Sequence, residues 1–133
     1  PGHGIAGGCL LMLTGDYRIG VEGESRYGLN ESAIGMVLPP YGIDLARFKI
    51  NNQHLDRCFV GAELVDSATA QEFGILDEVV TSDALMARAM EKAQEFQKLD
   101  GKAYAGNKKL VRGAMTEKIM DDLEAGTGLS VGT

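Results

Sequence analysis

The chain has no tryptophan, two cysteines (Cys9 and Cys58), three prolines and only 6% aromatic residues in 133 positions. Two cysteines are too few for a disulfide framework, and no Cys/His cluster has the spacing of a metal site. Basic residues are the minority, 13 Lys and Arg against 19 Asp and Glu, giving a net charge of −6 and a pI near 4.8. That balance excludes a generic nucleic-acid surface. Long hydrophobic runs are missing too. The longest, Cys9–Leu13, falls far short of the ~20 residues that span a bilayer, and no charged segment precedes it as in a signal peptide. At 44% hydrophobic and 24% charged the chain is close to an average globular protein, so wholesale disorder is excluded. A soluble, cytoplasmic protein of one domain's length is the expectation, with no nucleic acid or membrane as partner.

What the chain has in excess is glycine, 18 residues, about twice the usual ~7%. Gly2, Gly4, Gly7 and Gly8 crowd the start; Gly126, Gly128 and Gly132 crowd the end. The stretch 126–133 has no periodicity and is expected to be a flexible tail. Gly2-His3-Gly4-Ile5-Ala6-Gly7 is a literal G-x-G-x-x-G. That string marks a dinucleotide site only where a strand feeds it, a helix leaves it and an acidic residue ends the next strand. Only Pro1 precedes it, and too little follows for a nucleotide-binding half. A glycine pair at a helix start has two other readings. Its free N–H groups can stabilise an oxygen that gains negative charge, or its small residues can let the helix pack closely on a sheet.

The pattern predicts a short buried helix over Gly7–Thr14, a strand over Asp16–Val21 and a second extended segment over Arg26–Leu29. Leu38-Pro39-Pro40 must be extended, with a helix beginning near Pro40. Further helices are expected over Gln53–Val60 and over Ser67–Phe73, the latter capped by Ser67 and stopped by Gly74. A strand is expected over Ile75–Val80, then a helix capped by Ser82 and a last helix from about Lys102 to Glu124. Three short strands would leave unprotected sheet edges, which suggests an incomplete folding unit.

Gly2–Asp16 (GHGIAGGCLLMLTGD), with Tyr17-Arg18-Ile19, Gly28-Leu29-Asn30-Glu31, Ile34-Gly35 and the segment from Ser67 to Val80, resembles the crotonase superfamily, the enoyl-CoA hydratases and isomerases. The resemblance implies an α/β crotonase-like fold, the ClpP/crotonase β-β-α spiral, in partial form. Residues 1–100 would be the C-terminal part of the core with its N-terminal half absent. Residues 101–125 would be a C-terminal, interface-forming helix.

It further implies an acyl-CoA thioester as substrate, with Gly7 as the second of two backbone oxyanion donors and Glu31 as the catalytic base. Ala6 and Leu10 would line the acyl site. No cofactor is implied beyond the coenzyme A of the substrate, and a homo-oligomer, trimer or hexamer, is implied as the assembly. Hydratases of the family usually carry a second glutamate at the position of Leu10, because adding water asks for two carboxylates. Shifting a double bond needs one base, so the resemblance favours a delta-isomerase. Hydratase, or a non-catalytic remnant serving oligomerisation, remain alternatives.

Other residues are expected to be structural. Asp16 would cap a helix or pair with Arg18, and His54 would lie on a helix surface. His3 has no acidic or nucleophilic neighbour in sequence. Cys9 would be a packed apolar side chain, and Met12, Met86, Met90 and Met115 ordinary core. Lys108, Lys109 and Arg112 would form a solvated basic face, with coenzyme A phosphates as the alternative partner.

Overall fold

The computed structural model describes residues 2–126 and the backbone of Ser130 and Val131. The chain starts with β1 (Gly4–Ile5), turns at Ala6 into α1 (Gly7–Leu13), and continues through β2 (Ile19–Val21) and β3 (Tyr27–Gly28). A 3-10 turn, Glu31–Ile34, leads to β4 (Met36–Val37) and then to α2 (Pro40–Lys49). Pro39 is extended (φ −66°, ψ 151°) and Pro40 opens the helix, where its missing N–H costs nothing. A 3-10 turn over Asn52–His54 feeds α3 (Leu55–Phe59). There follow α4 (Ser67–Glu72), β5 (Glu78–Val80), α5 (Leu85–Gln97), α6 (Gly101–Glu124) and β6 (Ser130–Val131).

Among the described residues the strands form three two-stranded pairings. β1 runs parallel to β3, with Gly4 opposite Tyr27 and Ile5 opposite Gly28. β2 runs parallel to β5 over three residue pairs, and β4 is antiparallel to β6. Tyr27 also exchanges both backbone hydrogen bonds with Val65, each 2.9 Å. Two-residue strands are too short to show alternation, so β1 and β4 escape sequence reading. Most of the expected flexible tail lies outside the described residues.

The core collects Cys9 and Leu13 from α1, Leu29, Ala46, Ile50, Cys58, and Phe73, Ile75 and Leu76 around α4, all at most 3% exposed. Gly20 is required there, since a Cβ would come within 2.3 Å of Leu76 Cδ1. Two caps differ from expectation. Asp66, not Ser67, caps α4 by accepting the Thr69 N–H at 2.8 Å, and Ser67 is buried instead. Ser82 does not cap α5, which begins three residues later without a side-chain cap. Asp100 caps α6 through the Ala103 N–H.

The methionines are not all core. Met12 packs against the core, but Met86 and Met90 on α5 are mostly exposed. Neither α5 nor α6 contains a fully buried residue.

Candidate active site

Two adjacent strands deliver two chain segments to one place. The Ala6 N–H donates to the Gly28 carbonyl at 2.9 Å, closing the β1–β3 pairing one residue before α1 begins. Ala6 holds φ 51° and ψ −125°, a conformation that costs a non-glycine residue on the order of 1–3 kcal/mol. The turn leads directly into α1, whose first N–H groups have no intrahelical acceptor. No side chain caps this end. Gly7 and Gly8 are exposed, and a Cβ built on either meets nothing within 4 Å, so their faces are open.

On β3, Gly28 sits at φ 150°, and a Cβ there would lie 2.6 Å from the Glu63 carbonyl oxygen. Glycine is what lets this strand pass under the Glu63–Val65 segment. The 3-10 turn that follows starts at Glu31. Glu31 is only 5% exposed, and its Oε2 has no hydrogen-bond partner; Asn30 Oδ1 is equally unpartnered. Buried polar atoms left unpaired are uncommon and ask for a reason.

Cys9, fully buried on α1, links the two segments, because both the Gly28 backbone and the Glu31 carboxylate act on its sulfur. Burial, opposed by the Gly28 hydrogen bond and reinforced by the nearby Cys58 and Glu31 charges, pushes the Cys9 thiol up to about 12. It is therefore protonated at neutral pH and serves packing, not nucleophilic attack.

Gly7 and Leu10, one helical turn apart, share a face of α1 and line a cavity of about 860 Å³ bounded by α1, α2 and α6. Leu10 also packs against Gly42 of α2, where a Cβ would meet its methyl groups at 3.3–3.4 Å. Glu31 does not line this cavity; its turn lies on the β3 side of α1. Ala6 is half-buried at the junction.

The charged residues rearrange the expected pairings. Arg18 pairs with Asp77, not Asp16: Nε and Nη2 donate to the two carboxylate oxygens at 2.7 and 2.8 Å, and Nη1 donates to Gly74 O. Asp16 instead accepts from Tyr104, Lys108 and Arg112 of α6. Lys108 and Arg112 are thus tied to the loop after α1 and do not form an unpaired solvated face; both, with Lys109, border the cavity. His3 Nδ1 accepts the Arg26 N–H at 2.9 Å, a brace on the β1–β3 pair. His54 stacks on Phe73, ring centroids 4.0 Å apart. These partners stand 19 to 96 positions apart, so no local pattern announces them. Among the described residues no group of three or more His, Cys, Asp or Glu could hold a metal ion. Among them also, no helix is long and apolar enough to cross a membrane.

The fold is that of the crotonases, and the chain belongs to the enoyl-CoA hydratase/isomerase family, whose model matches residues 1–131. Among curated proteins it is similar to Enoyl-CoA delta isomerase 1, mitochondrial, from Rattus norvegicus, 32% identical over 126 residues, and from Homo sapiens, 30% identical over 122. These alignments cover 93% and 90% of this chain but 43% and 40% of the relatives, so the chain spans less than half their length. Among solved structures, an enoyl-CoA hydratase/isomerase family protein from Pseudomonas syringae superposes with a TM-score of 0.90 at 36% identity, over 94% of this chain and 54% of that one. The human mitochondrial delta3-delta2-enoyl-CoA isomerase superposes with a TM-score of 0.86 at 28% identity, over 91% of this chain and 47% of that one.

Proposed function

We propose that this chain carries the base and one oxyanion donor of an enzyme that moves the double bond of a 3-enoyl-CoA to the 2 position. The observation that carries this reading is the buried Glu31 carboxyl with an unpartnered oxygen, one strand pairing away from the open N-terminus of α1. The Gly7 N–H, as one of two donors that the family resemblance assigns, would hold the thioester oxygen. Charge gathers on that oxygen when a proton leaves C2, and a fixed donor stabilises it without reorganisation. Glu31 takes the C2 proton, the electron pair shifts toward the oxygen through C2, and the double bond moves from C3–C4 to C2–C3. The same carboxylic acid then returns the proton at C4. No atom is gained or lost, and one base suffices.

Leu10 favours isomerisation over hydration. It places an apolar side chain one turn after Gly7, packed on Gly42, where a second carboxylate would be needed to activate water. The relatives named as delta isomerases support the same choice.

Glu31→Gln in the intact protein tests the reading, since it keeps the side chain's shape and removes the base. Loss of isomerisation by at least ~100-fold with KM little changed is expected for a general acid–base residue. Turnover at the wild-type rate would overturn the assignment.

A further inference from the structure

Glu31 Oε2 is buried with no hydrogen-bond partner, as is Oδ1 of Asn30 beside it. A carboxyl that serves two carbons in turn needs that freedom, because one locked to a fixed donor could not reach both. Its placement therefore falls to the backbone of the 3-10 turn Glu31–Ile34. The backbone bonds that close this turn stay local. Ala33 N–H donates to Asn30 O at 3.0 Å, and Gly35, at φ 72°, donates back to Glu31 O and Ser32 O. Among the described residues, the one hydrogen bond from the turn to another element is Ser32 Oγ donating to the Phe59 carbonyl, at the end of α3, at 3.1 Å. That bond completes a run. Residues 59–65 lie antiparallel alongside β3 and the turn: Val65 exchanges two backbone bonds with Tyr27, the Glu63 carbonyl lies against Gly28, and Phe59 meets Ser32. This segment is anchored in its own right. Arg57 Nε and Nη2 donate to the Glu63 carboxylate across the bend, each at 2.7 Å. The Arg57 guanidinium also lies over the Phe73 ring, 4.7 Å from its centroid, and Cys58 is fully buried.

We propose that Ser32 is a positioning residue for the base: its hydroxyl holds the turn that carries Glu31 at a fixed distance from the end of α3. This rests on the reading of Glu31 as the base. Without the hydroxyl the turn keeps its local bonds and loses the one that sets its place relative to the core. Misplacing a reacting group by about 1 Å can cost on the order of 100-fold. Ser32 is exposed and its bond is a single neutral one, so the loss expected here is smaller, about threefold to tenfold. Removing an exposed hydroxyl leaves the Phe59 carbonyl to water, so the effect falls on where the carboxyl sits and little of it on folding.

The test measures kcat and KM for 3-hexenoyl-CoA in the intact wild-type protein and in Ser32→Ala, Ser32→Val and Ser32→Thr, with circular dichroism at the assay temperature as the check on folding. Threonine keeps the hydroxyl, and valine has threonine's shape without it. Ser32→Ala and Ser32→Val should lower kcat by about threefold to tenfold with KM within about twofold of wild type, and Ser32→Thr should stay near the wild-type kcat. Wild-type kcat in both Ser32→Ala and Ser32→Val would overturn the proposal. A fall in Ser32→Thr equal to that in Ser32→Val would also overturn it, because bulk and not the hydroxyl would then matter. A loss carried by KM would mean lost binding instead of a displaced base, and loss of the fold in Ser32→Ala and Ser32→Val would make the bond purely structural; either result overturns it. The isomerase reading fails separately, through full turnover by Glu31→Gln, whereas wild-type kcat in Ser32→Ala beside an inactive Glu31→Gln sinks the positioning role alone.

Discussion

At Ala6 a side chain that belongs in the common backbone regions is held at φ 51°, and α1 starts at the next residue with Gly7 and Gly8, where a Cβ would meet nothing within 4 Å. A glycine would adopt that conformation more freely. Ala6→Gly is therefore expected to stabilise the folded protein by about 1 kcal/mol of relieved strain, part of it offset by greater backbone entropy in the unfolded chain. It should also lower kcat by loosening the donor. Urea denaturation and steady-state kinetics on the same preparation check both signs. A variant that is less stable, or equally active and more stable, would contradict the role given to this turn. Gly7 and Glu31 are candidates in the sequence through the family resemblance of the strings that hold them; residue type alone marks only a glycine pair at a helix start. The strain at Ala6 was not legible, since alanine carries no signal for a positive φ.

Between elements, the strongest tie is the buried Arg18 guanidinium on the Asp77 carboxylate, which joins the entry of β2 to the turn before β5. Arg18 is 7% exposed and Asp77 29%. Asp77→Ala should cost about 3 kcal/mol in denaturant unfolding, because it strands a buried cation, with some relief from Asp77's partial exposure. Burial alone would raise the Asp77 carboxyl; the hydrogen bonds and charge of Arg18 outweigh it and hold the group below its ordinary range. A depressed carboxylate contributes stability that is complete above its unfolded value near ~3.9 and fades as pH falls through the folded one. Wild-type stability should thus drop between about pH 5 and pH 2 more steeply than that of Asp77→Ala, and equal slopes would contradict the assignment. This tie was invisible in sequence, because its partners lie 59 positions apart. The helices themselves were legible from spacing and prolines, whereas the caps shifted. Asp66 accepts the Thr69 N–H, so Ser67 is free to be buried.

At the scale of the molecule, α5 and α6 display apolar side chains that this chain does not cover, among them Met86, Met90, Leu110 (85% exposed) and Val111. The sequence reading expects Met86 and Met90 to be core, but helical spacing cannot tell a face that meets its own core from one that does not. One arrangement decides the mechanism: a single thioester lies against the start of α1 while its C2 lies against the carboxylate of the turn after β3. A crystal structure of the intact protein with a non-isomerisable acyl-CoA measures this directly. The carbonyl oxygen should sit ~2.7–3.1 Å from the Gly7 nitrogen, and a Glu31 oxygen about 3–3.5 Å from C2. A thioester bound with Glu31 out of reach of C2 and the Gly7 N–H turned to solvent would contradict it.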